Sequence, residues 1–353
     1  MKSVVVTDAF MKEEYYRDCY ARVPGHEIAR AVHFGPAERF DMRDVARNIE
    51  RNGPYAVEPP EELYEAVEDA DILMVHLCPV TRKVLERGKR LKAVLTNRGG
   101  LENVDVQAAT SLGIPVLSNP AHNANAVAEL TIALMLSETR NLARTHANLM
   151  RGEWVEYYRN AGRVREIAGS TVGIVGFGNI GRRVARKLTV FDCRVLVYDK
   201  YVSPDDPDLA KYGCTFVSLE TLLRTSDVVT LHVRAEEQVL GREHFALMKP
   251  TAYFINTARP HLIDNEALYE RLKDGGITGA AFDVFPKEPV TPDEPLIRLD
   301  CVTLSNHRGG DTVNCYSDSP AMLLREFEVM RSGGEPRFWV NRGAQGKSES
   351  VTG

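Results

Sequence analysis

The chain has 353 residues, a formal net charge of −5 at pH 7 and a hydrophobic fraction of 44%. This length predicts two domains of ordinary size, each able to bury its own core. Mixed charges without a dense basic face argue against nucleic acid as a partner. No secretory leader pattern opens the chain and no uncharged apolar run of about eighteen residues follows, so we expect no membrane partner and a cytoplasmic location. The 6 cysteines and 9 histidines show no paired or metal-ligand spacing, which fits a reducing compartment and predicts no metal.

Short β-rich runs alternate with amphipathic stretches in the first third of the chain, which predicts an α/β domain. The runs lie at residues 4–7, 72–77, 93–96 and 115–117. Asn119-Pro120 then interrupts the pattern. From about residue 123 to 150 apolar residues recur at helical spacing, which predicts one unusually long helix.

Seven further apolar runs follow, and segments such as 264–273 have the length of crossover helices between them. They lie at 172–176, 194–198, 215–217, 228–231, 252–255, 278–282 and 302–304. The fold class is therefore predicted as α/β, with a parallel, doubly wound Rossmann-type sheet. A last helix at about 313–331 leads to residues 338–340, which would return a strand to the first domain.

This order predicts a nucleotide domain inserted in a second, smaller flavodoxin-like α/β domain that binds substrate. The boundaries are expected at 1–120 and 311–342 for the substrate domain and at 121–310 for the nucleotide domain. Residues 343–353 are small and polar without periodicity, and we expect them to be a frayed tail.

The most specific local signal is the segment TVGIVGFGNIG at residues 171–181. Gly176 would permit the tight turn out of a strand, Gly178 would let the backbone approach a pyrophosphate, and Gly181 would let the next helix pack closely. A helix beginning near Asn179 would direct its unpaired N–H groups at the phosphates. An ordinary strand-to-helix turn can also carry such glycines, but the flanking pattern favours a dinucleotide site.

An acid follows the glycine segment at the end of the next apolar run. Asp199 would accept hydrogen bonds from the ribose hydroxyls, which favours NAD over NADP as cofactor. Lys200 leaves tolerance of a 2′-phosphate open.

Three polar residues follow strands of the predicted sheet, at the edge where ligands bind in open α/β folds. Arg259 comes after the run 252–255 and would clamp a carboxylate with two hydrogen bonds. Glu288 lies in a proline-containing loop after the run 278–282, and His307 follows the run 302–304 ahead of two glycines. Considered singly, each has an ordinary alternative as a surface arginine, a solvated glutamate or a structural histidine.

Taken together, these motifs resemble the D-isomer-specific 2-hydroxyacid dehydrogenases, the group that includes phosphoglycerate dehydrogenase. The resemblance rests on the order of the glycine motif, NTAR at 256–259, DVFPKEP at 283–289 and the histidine before Gly309-Gly310, and it covers the chain to about residue 342. The segments RGGLENVD at 98–105 and NPAHNANAVAE at 119–129 are similar to substrate-loop and hinge segments of that family.

The resemblance implies that Arg259 binds the substrate carboxylate and the C2 oxygen, and that His307 is the acid/base for that oxygen. Glu288 would orient the imidazole and favour its protonated form. Closure of the domains about hinges near Asn119-Pro120 and Gly309-Gly310 would exclude water from hydride transfer. The partner would be a small 2-hydroxy or 2-oxo acid, and the helix region 123–150 would form a homodimer.

Further contacts are also implied by the resemblance. Asp283 would hold the nicotinamide carboxamide, although a turn or capping aspartate reads equally well from sequence. The remaining expected cofactor contacts are Asn179, Ile180, Thr257, Ala258 and Gly310. The expected substrate contacts besides Arg259 are His76, Arg98, Gly99 and Gly100.

Some residues depart from the family pattern. Arg234, Pro260 and Arg308 stand where other residues are usual, and the roles of Arg234 and Arg308 stay open. Glu288 argues against the formate dehydrogenase branch, where glutamine is expected. A redox-sensing binding protein like the C-terminal binding protein corepressors is the alternative from another class, and a short, unregulated phosphoglycerate dehydrogenase is also compatible.

Overall fold

The computed structural model describes residues 1–342, so the predicted tail at 343–353 lies outside the described residues. The strands are β1 (Lys2–Thr7), β2 (Glu27–His33), β3 (Ile72–Val75), β4 (Ala93–Thr96), β5 (Val116–Ser118), β6 (Thr171–Val175), β7 (Arg194–Tyr198), β8 (Cys214–Phe216), β9 (Val228–Leu231), β10 (Tyr253–Asn256), β11 (Gly279–Phe282) and β12 (Val302–Leu304).

Residues 1–342 also form fourteen α-helices. They are α1 (Glu13–Tyr20), α2 (Arg39–Asn52), α3 (Glu61–Ala66), α4 (Arg82–Arg87), α5 (Val106–Ser111), α6 (Ala124–Thr139), α7 (Leu142–Met150), α8 (Asn179–Leu188), α9 (Pro207–Lys211), α10 (Leu219–Thr225), α11 (Arg242–Leu247), α12 (Asn265–Lys273), α13 (Val313–Ser317) and α14 (Ser319–Arg331). Among residues 1–342, no helix combines the length and apolar character that a membrane crossing needs.

The chain forms two compact units. Unit 1 comprises residues 1–123 with the described residues from 312 onward, and unit 2 comprises residues 124–311. Unit 1 contains a five-stranded parallel sheet in the order β2-β1-β3-β4-β5. Unit 2 contains a seven-stranded parallel sheet in the order β12-β11-β10-β9-β6-β7-β8. The predicted doubly wound α/β class is confirmed, and the unit 1 order is that of flavodoxin-like folds.

Each sheet has an apolar core on both of its faces. Successive side chains of a strand point in opposite directions, so each strand contributes to both cores. In β1, Val4 and Val6 belong to the apolar core on one face, whereas Val5 belongs to the core on the other face with α14. In β6, Val175 and Ile174 divide between two cores in the same way. Strands buried on both faces read as continuous apolar runs, which is why most of them were visible in the sequence.

The predicted single helix at 123–150 is wrong, because the structure breaks it into α6 and α7. Asn141 adopts a left-handed conformation with φ of 60°, which few residue types other than glycine tolerate as well as asparagine does. Its side-chain amide exchanges two hydrogen bonds with that of Asn160, at 3.0 and 2.9 Å. This amide pair fixes a turn that the apolar spacing did not show.

Three smaller differences lie in unit 1. Strand β2 was not predicted, because its side chains are mostly exposed and its main contribution is backbone pairing with β1. The predicted helix at 313–331 is divided at Asp318, since Pro320 in the first turn of α14 has no N–H to continue a helix. The predicted return of 338–340 is a single antiparallel bridge between Trp339 and Leu117.

Candidate functional site

The glycine turn after β6 shows why each glycine is present. Gly176 has φ of +100°, and a Cβ there would lie 2.6 Å from the carbonyl carbon of His232. A Cβ on Gly181 would overlap the carbonyl oxygen of Gly176. Gly178 is different, because a Cβ there would meet no atom within 4 Å. The chain's own packing therefore requires the first and third glycines, whereas the second borders open space.

That open space lies at the start of α8. Gly178 is the N-cap of this helix and Asn179 is its first residue, so the N–H groups of Asn179, Ile180 and Gly181 have no partner within the helix. The strand order reverses at β6 and β9, and such a switch point is where nucleotides bind in doubly wound sheets. The N–H groups at the start of α8 can donate to a pyrophosphate, and no side chain at Gly178 blocks its approach. This end of the helix therefore fits the pyrophosphate of NAD.

Asp199 follows β7 and is anchored to the same turn. Its Oδ2 accepts the backbone N–H of Phe177 at 2.7 Å, and its Oδ1 accepts that of Tyr201 at 2.7 Å and that of Val202 at 3.1 Å. A carboxylate accepts about four hydrogen bonds, so capacity remains for a ribose hydroxyl. The structure thus places the predicted acid beside the glycine turn.

His307 and Glu288 are in direct contact. The imidazole Nδ1 lies 2.7 Å from Glu288 Oε2, and Glu288 Oε1 accepts the backbone N–H of Phe285 at 3.0 Å. The His307 side chain is 47% exposed and that of Glu288 is 35% exposed. Because the carboxylate occupies Nδ1, the ring nitrogen left for a substrate is Nε2.

The loop that carries His307 is held by Asp283. This carboxylate is 2% exposed and accepts the backbone N–H groups of Arg308 and Gly309, both at 2.8 Å. The Ser305 hydroxyl donates to it as well. His307 itself has φ of 55°, a left-handed conformation that these bonds maintain. Asp283 thus makes the contacts of a turn aspartate, and its contact with nicotinamide stays a prediction.

Asn256 holds the backbone of the segment that carries Arg259. This role was not predicted from the sequence. Asn256 ends β10; its Oδ1 accepts the N–H of Ala258 at 2.9 Å and its Nδ2 donates to the Arg259 carbonyl at 3.3 Å. The Thr257 hydroxyl lies 2.9 Å from that of Thr131 in α6. The Arg259 side chain is exposed, and its Nη1 donates to the carbonyl of Ala258 at 2.8 Å. Its guanidinium has further donors for a carboxylate.

The three predicted catalytic residues therefore follow three neighbouring strands. Arg259 comes after β10, Glu288 after β11 and His307 after β12, and these strands are adjacent and parallel. Their carboxyl ends share one edge of the sheet. His307 and Glu288 are in direct contact. Arg259 follows β10, which pairs with β11, the strand that precedes Glu288.

A buried histidine near the glycine turn was not predicted as a site residue. His232 follows β9, is 8% exposed and shares a 2.9 Å hydrogen bond between its Nε2 and the Thr230 hydroxyl. Its Nδ1 is buried and has no hydrogen-bond partner in the described part of the chain. Burial lowers the pKa of His232 to about 3, so the ring is neutral. Arg234, two residues on, is exposed.

The predicted substrate residues of unit 1 follow β3 and β4. His76 is buried and its Nδ1 lies 2.9 Å from Asp8 Oδ2, a partner that sequence reasoning missed. Arg98 Nη2 donates to Glu50 at 2.7 Å, so an acid already balances part of its charge. A Cβ on Gly99 would lie 3.0 Å from the Cα of Pro120; Gly100, the next residue, is the other predicted backbone donor.

Comparison with known proteins shows which family this chain resembles. Residues 132–309 match the family model described as D-isomer specific 2-hydroxyacid dehydrogenase, NAD binding domain. The chain is 40% identical over 278 residues to D-3-phosphoglycerate dehydrogenase of Methanocaldococcus jannaschii, covering 77% of this chain and 52% of that one. It thus spans about half the length of that relative. It is 38% identical to hydroxypyruvate reductase of Thermotoga maritima, covering 71% of this chain and 82% of that one.

A solved structure shares the fold. The D-isomer specific 2-hydroxyacid dehydrogenase of Lactobacillus delbrueckii ssp. bulgaricus, in its NAD complexed form, matches with a TM-score of 0.75 at 20% identity, over 97% of this chain and 100% of that one. With the glycine turn, Asp199 and the motifs after β10 to β12 in place, the chain belongs to the D-isomer-specific 2-hydroxyacid dehydrogenase family, and its cofactor is NAD.

Proposed function

We propose that this enzyme interconverts a D-2-hydroxy acid and its 2-oxo acid, with His307 as the acid/base. The observation that carries the proposal is the 2.7 Å contact between His307 Nδ1 and Glu288 Oε2. Bound NADH, held by the N-terminus of α8 and by Asp199, would supply the hydride for C2 of the oxo acid. His307 then gives the C2 oxygen a proton from Nε2, and it takes that proton back in the oxidative direction.

Arg259 would bind the substrate carboxylate. Its exposed guanidinium is held near β10 by the hydrogen bond to the Ala258 carbonyl, and its other N–H groups match the two oxygens of a carboxylate. The positive charge would also stabilise negative charge that develops on the C2 oxygen. Glu288 acts through His307 as a positioning residue, because it fixes the ring and supports its positive form.

The experiment measures turnover and nucleotide affinity separately. We expect His307→Ala and Arg259→Ala to reduce kcat/KM for reduction of a 2-oxo acid by about a thousandfold or more, while NADH affinity stays near that of the wild type. Glu288→Gln should retain part of the activity. Rates near the wild-type value in His307→Ala or Arg259→Ala would contradict the assigned roles.

For the substrate, we propose a short 2-oxo acid without phosphate. The relatives are named for phosphoglycerate, hydroxypyruvate and glyoxylate, and the Arg98 charge is already engaged by Glu50 at 2.7 Å and Glu102 at 3.5 Å. A phosphate carries up to about two negative charges and would meet the negative charges of Glu50 and Glu102 beside Arg98. Hydroxypyruvate should therefore exceed its 3-phosphate in kcat/KM; the reverse order would contradict this choice.

We also propose a homodimer through the predicted helix region. Helix α7 has no buried residue, and the exposed fractions of Met150 and Trp154 are 75% and 80%. Contiguous apolar side chains of this kind mark protein contacts. Sedimentation should report a dimer that Leu149→Glu/Met150→Glu converts to a monomer, and a monomeric wild type would contradict the proposal.

We also propose that the enzyme works in the cytoplasm. Its six cysteines are free, which fits a reducing compartment.

A further inference from the structure

Arg182 lies in α8, close to the glycine turn, and contacts Phe177 of that turn. Its guanidinium carbon is 4.7 Å from the centre of the Phe177 ring, and the backbone N–H of Phe177 donates to Asp199 Oδ2 at 2.7 Å. Phe177 therefore contacts both the Arg182 guanidinium and Asp199. The ribose of the adenosine half of NAD is expected at Asp199.

Two aspartates after β7 hold this guanidinium. Nη1 donates to Asp206 Oδ1 at 2.6 Å and Nη2 donates to Asp206 Oδ2 at 2.7 Å, while Nη1 also donates to Asp208 Oδ2 at 2.9 Å. The two-pronged hydrogen bond raises the pKa of Arg182 and lowers the pKa of Asp206, because it stabilises both charged forms. One positive charge is thus balanced within the protein by two carboxylates.

This arrangement bears on which nucleotide can bind. NADP carries a phosphate on the ribose oxygen where NAD carries a hydroxyl, and arginine is the side chain that accommodates this group in dinucleotide sites. Here an arginine shares the neighbour Phe177 with the ribose acid, but both of its terminal nitrogens already donate to aspartates. A 2′-phosphate would find the guanidinium occupied and would meet the negative charges of Asp199, Asp206 and Asp208.

We propose that Asp206 and Asp208 contribute to nucleotide specificity by holding Arg182 in an internal ion pair, which denies a 2′-phosphate the Arg182 guanidinium. Asp199 then selects for the ribose hydroxyls, and the Arg182 pair excludes the phosphate by a second, independent contact. This inference concerns the NAD site alone and does not depend on which 2-oxo acid is reduced.

A purely structural role for the aspartates is the competing explanation. Asp206 is the N-cap of α9, where it accepts the backbone N–H of Asp208 at 3.0 Å. Asparagine caps helices as well as aspartate does, so Asp206→Asn keeps the cap and removes the charge. A structural role predicts that such a variant binds both nucleotides with an unchanged ratio.

The test is direct titration of the full chain with NADH and with NADPH, read from nucleotide fluorescence without substrate. In Asp206→Asn/Asp208→Asn, we expect NADPH affinity to rise by about tenfold or more while NADH affinity changes by less than about twofold. Since the released guanidinium is partly exposed, added salt should reduce the gain. An unchanged NADPH to NADH ratio would overturn the proposal.

Two controls separate the released arginine from a general loss of negative charge. Asp205→Asn removes an exposed charge from the same loop and should leave NADPH affinity unchanged. Adding Arg182→Met to the double variant should abolish the gain. A gain that persists without Arg182, or one that Asp205→Asn reproduces, would overturn the role given to the ion pair. Thermal unfolding of each variant confirms that the compared proteins are folded.

Discussion

Replacement of the second and third glycines of the turn by alanine should have opposite consequences. In Gly178→Ala the new methyl group meets no protein atom within 4 Å and the backbone φ is −83°, so the fold should accept it. The cost is that of a poorer N-cap, about 0.5–1 kcal/mol. The methyl group would stand where the pyrophosphate approaches α8, and we expect NADH affinity to fall by at least about tenfold, or about 1.4 kcal/mol.

Gly181→Ala reverses this pattern. Its methyl group would overlap the carbonyl oxygen of Gly176, so α8 must move away from β6. Overpacking of this severity costs about 3 kcal/mol of the free energy of unfolding. Urea unfolding measures the stability of both variants, and fluorescence titration measures NADH affinity. Wild-type affinity in Gly178→Ala, or wild-type stability in Gly181→Ala, would refute the assignment of these two glycines.

The remaining predictions concern residues that support the site or the core. Asp283→Asn should reduce kcat by about tenfold and the free energy of unfolding by about 1–3 kcal/mol, because one amide oxygen cannot hold the His307 loop as two carboxylate oxygens do. Steady-state kinetics and urea unfolding measure the two effects, and an unchanged kcat would contradict this role of Asp283. Burial lowers the pKa of His232 from 6.5 to about 3. The stability that the neutral ring contributes is therefore full above pH 6.5 and is lost as the pH falls toward 3, at about 1.4 kcal/mol per pH unit. When unfolding is measured at a series of pH values, the free energy of unfolding of His232→Asn should fall less steeply with acid than that of the wild type. Arg144 makes two 2.6 Å hydrogen bonds to Glu138, a carboxylate with 0% exposure, so Arg144→Met should destabilise by about 3–5 kcal/mol, with partial recovery in Glu138→Gln/Arg144→Met.

Much of the fold could be predicted because most strands are buried on both faces and stand out as apolar runs. Strand β2 did not stand out in this way, since Val32 is its only fully buried side chain and its pairing with β1 depends on backbone hydrogen bonds. The break at Asn141 was also hidden, because its cause is a side-chain bond to Asn160, nineteen residues away. Periodicity reports which faces are apolar and carries no information on such long-range polar contacts.

The candidate site shows the same division. Arg259, Glu288 and His307 could be found because each follows a strand, and parallel strands end at a common edge. Their supports could not be found in this way. Asp283 was predicted as a cofactor contact, whereas its hydrogen bonds to the His307 loop require the three-dimensional path of that loop. The Arg182–Asp206 ion pair joins residues 24 positions apart and leaves no pattern in the sequence.

The strand order of unit 2 has a consequence for engineering this enzyme. Asp199 follows β7, and His307 follows β12, five strand positions away along the sheet. At about 4.8 Å per strand this separates them by roughly 24 Å, more than two Debye lengths at physiological ionic strength. Coenzyme preference and proton transfer are therefore electrostatically insulated, so a redesigned adenosine end should leave the chemistry at the other end intact.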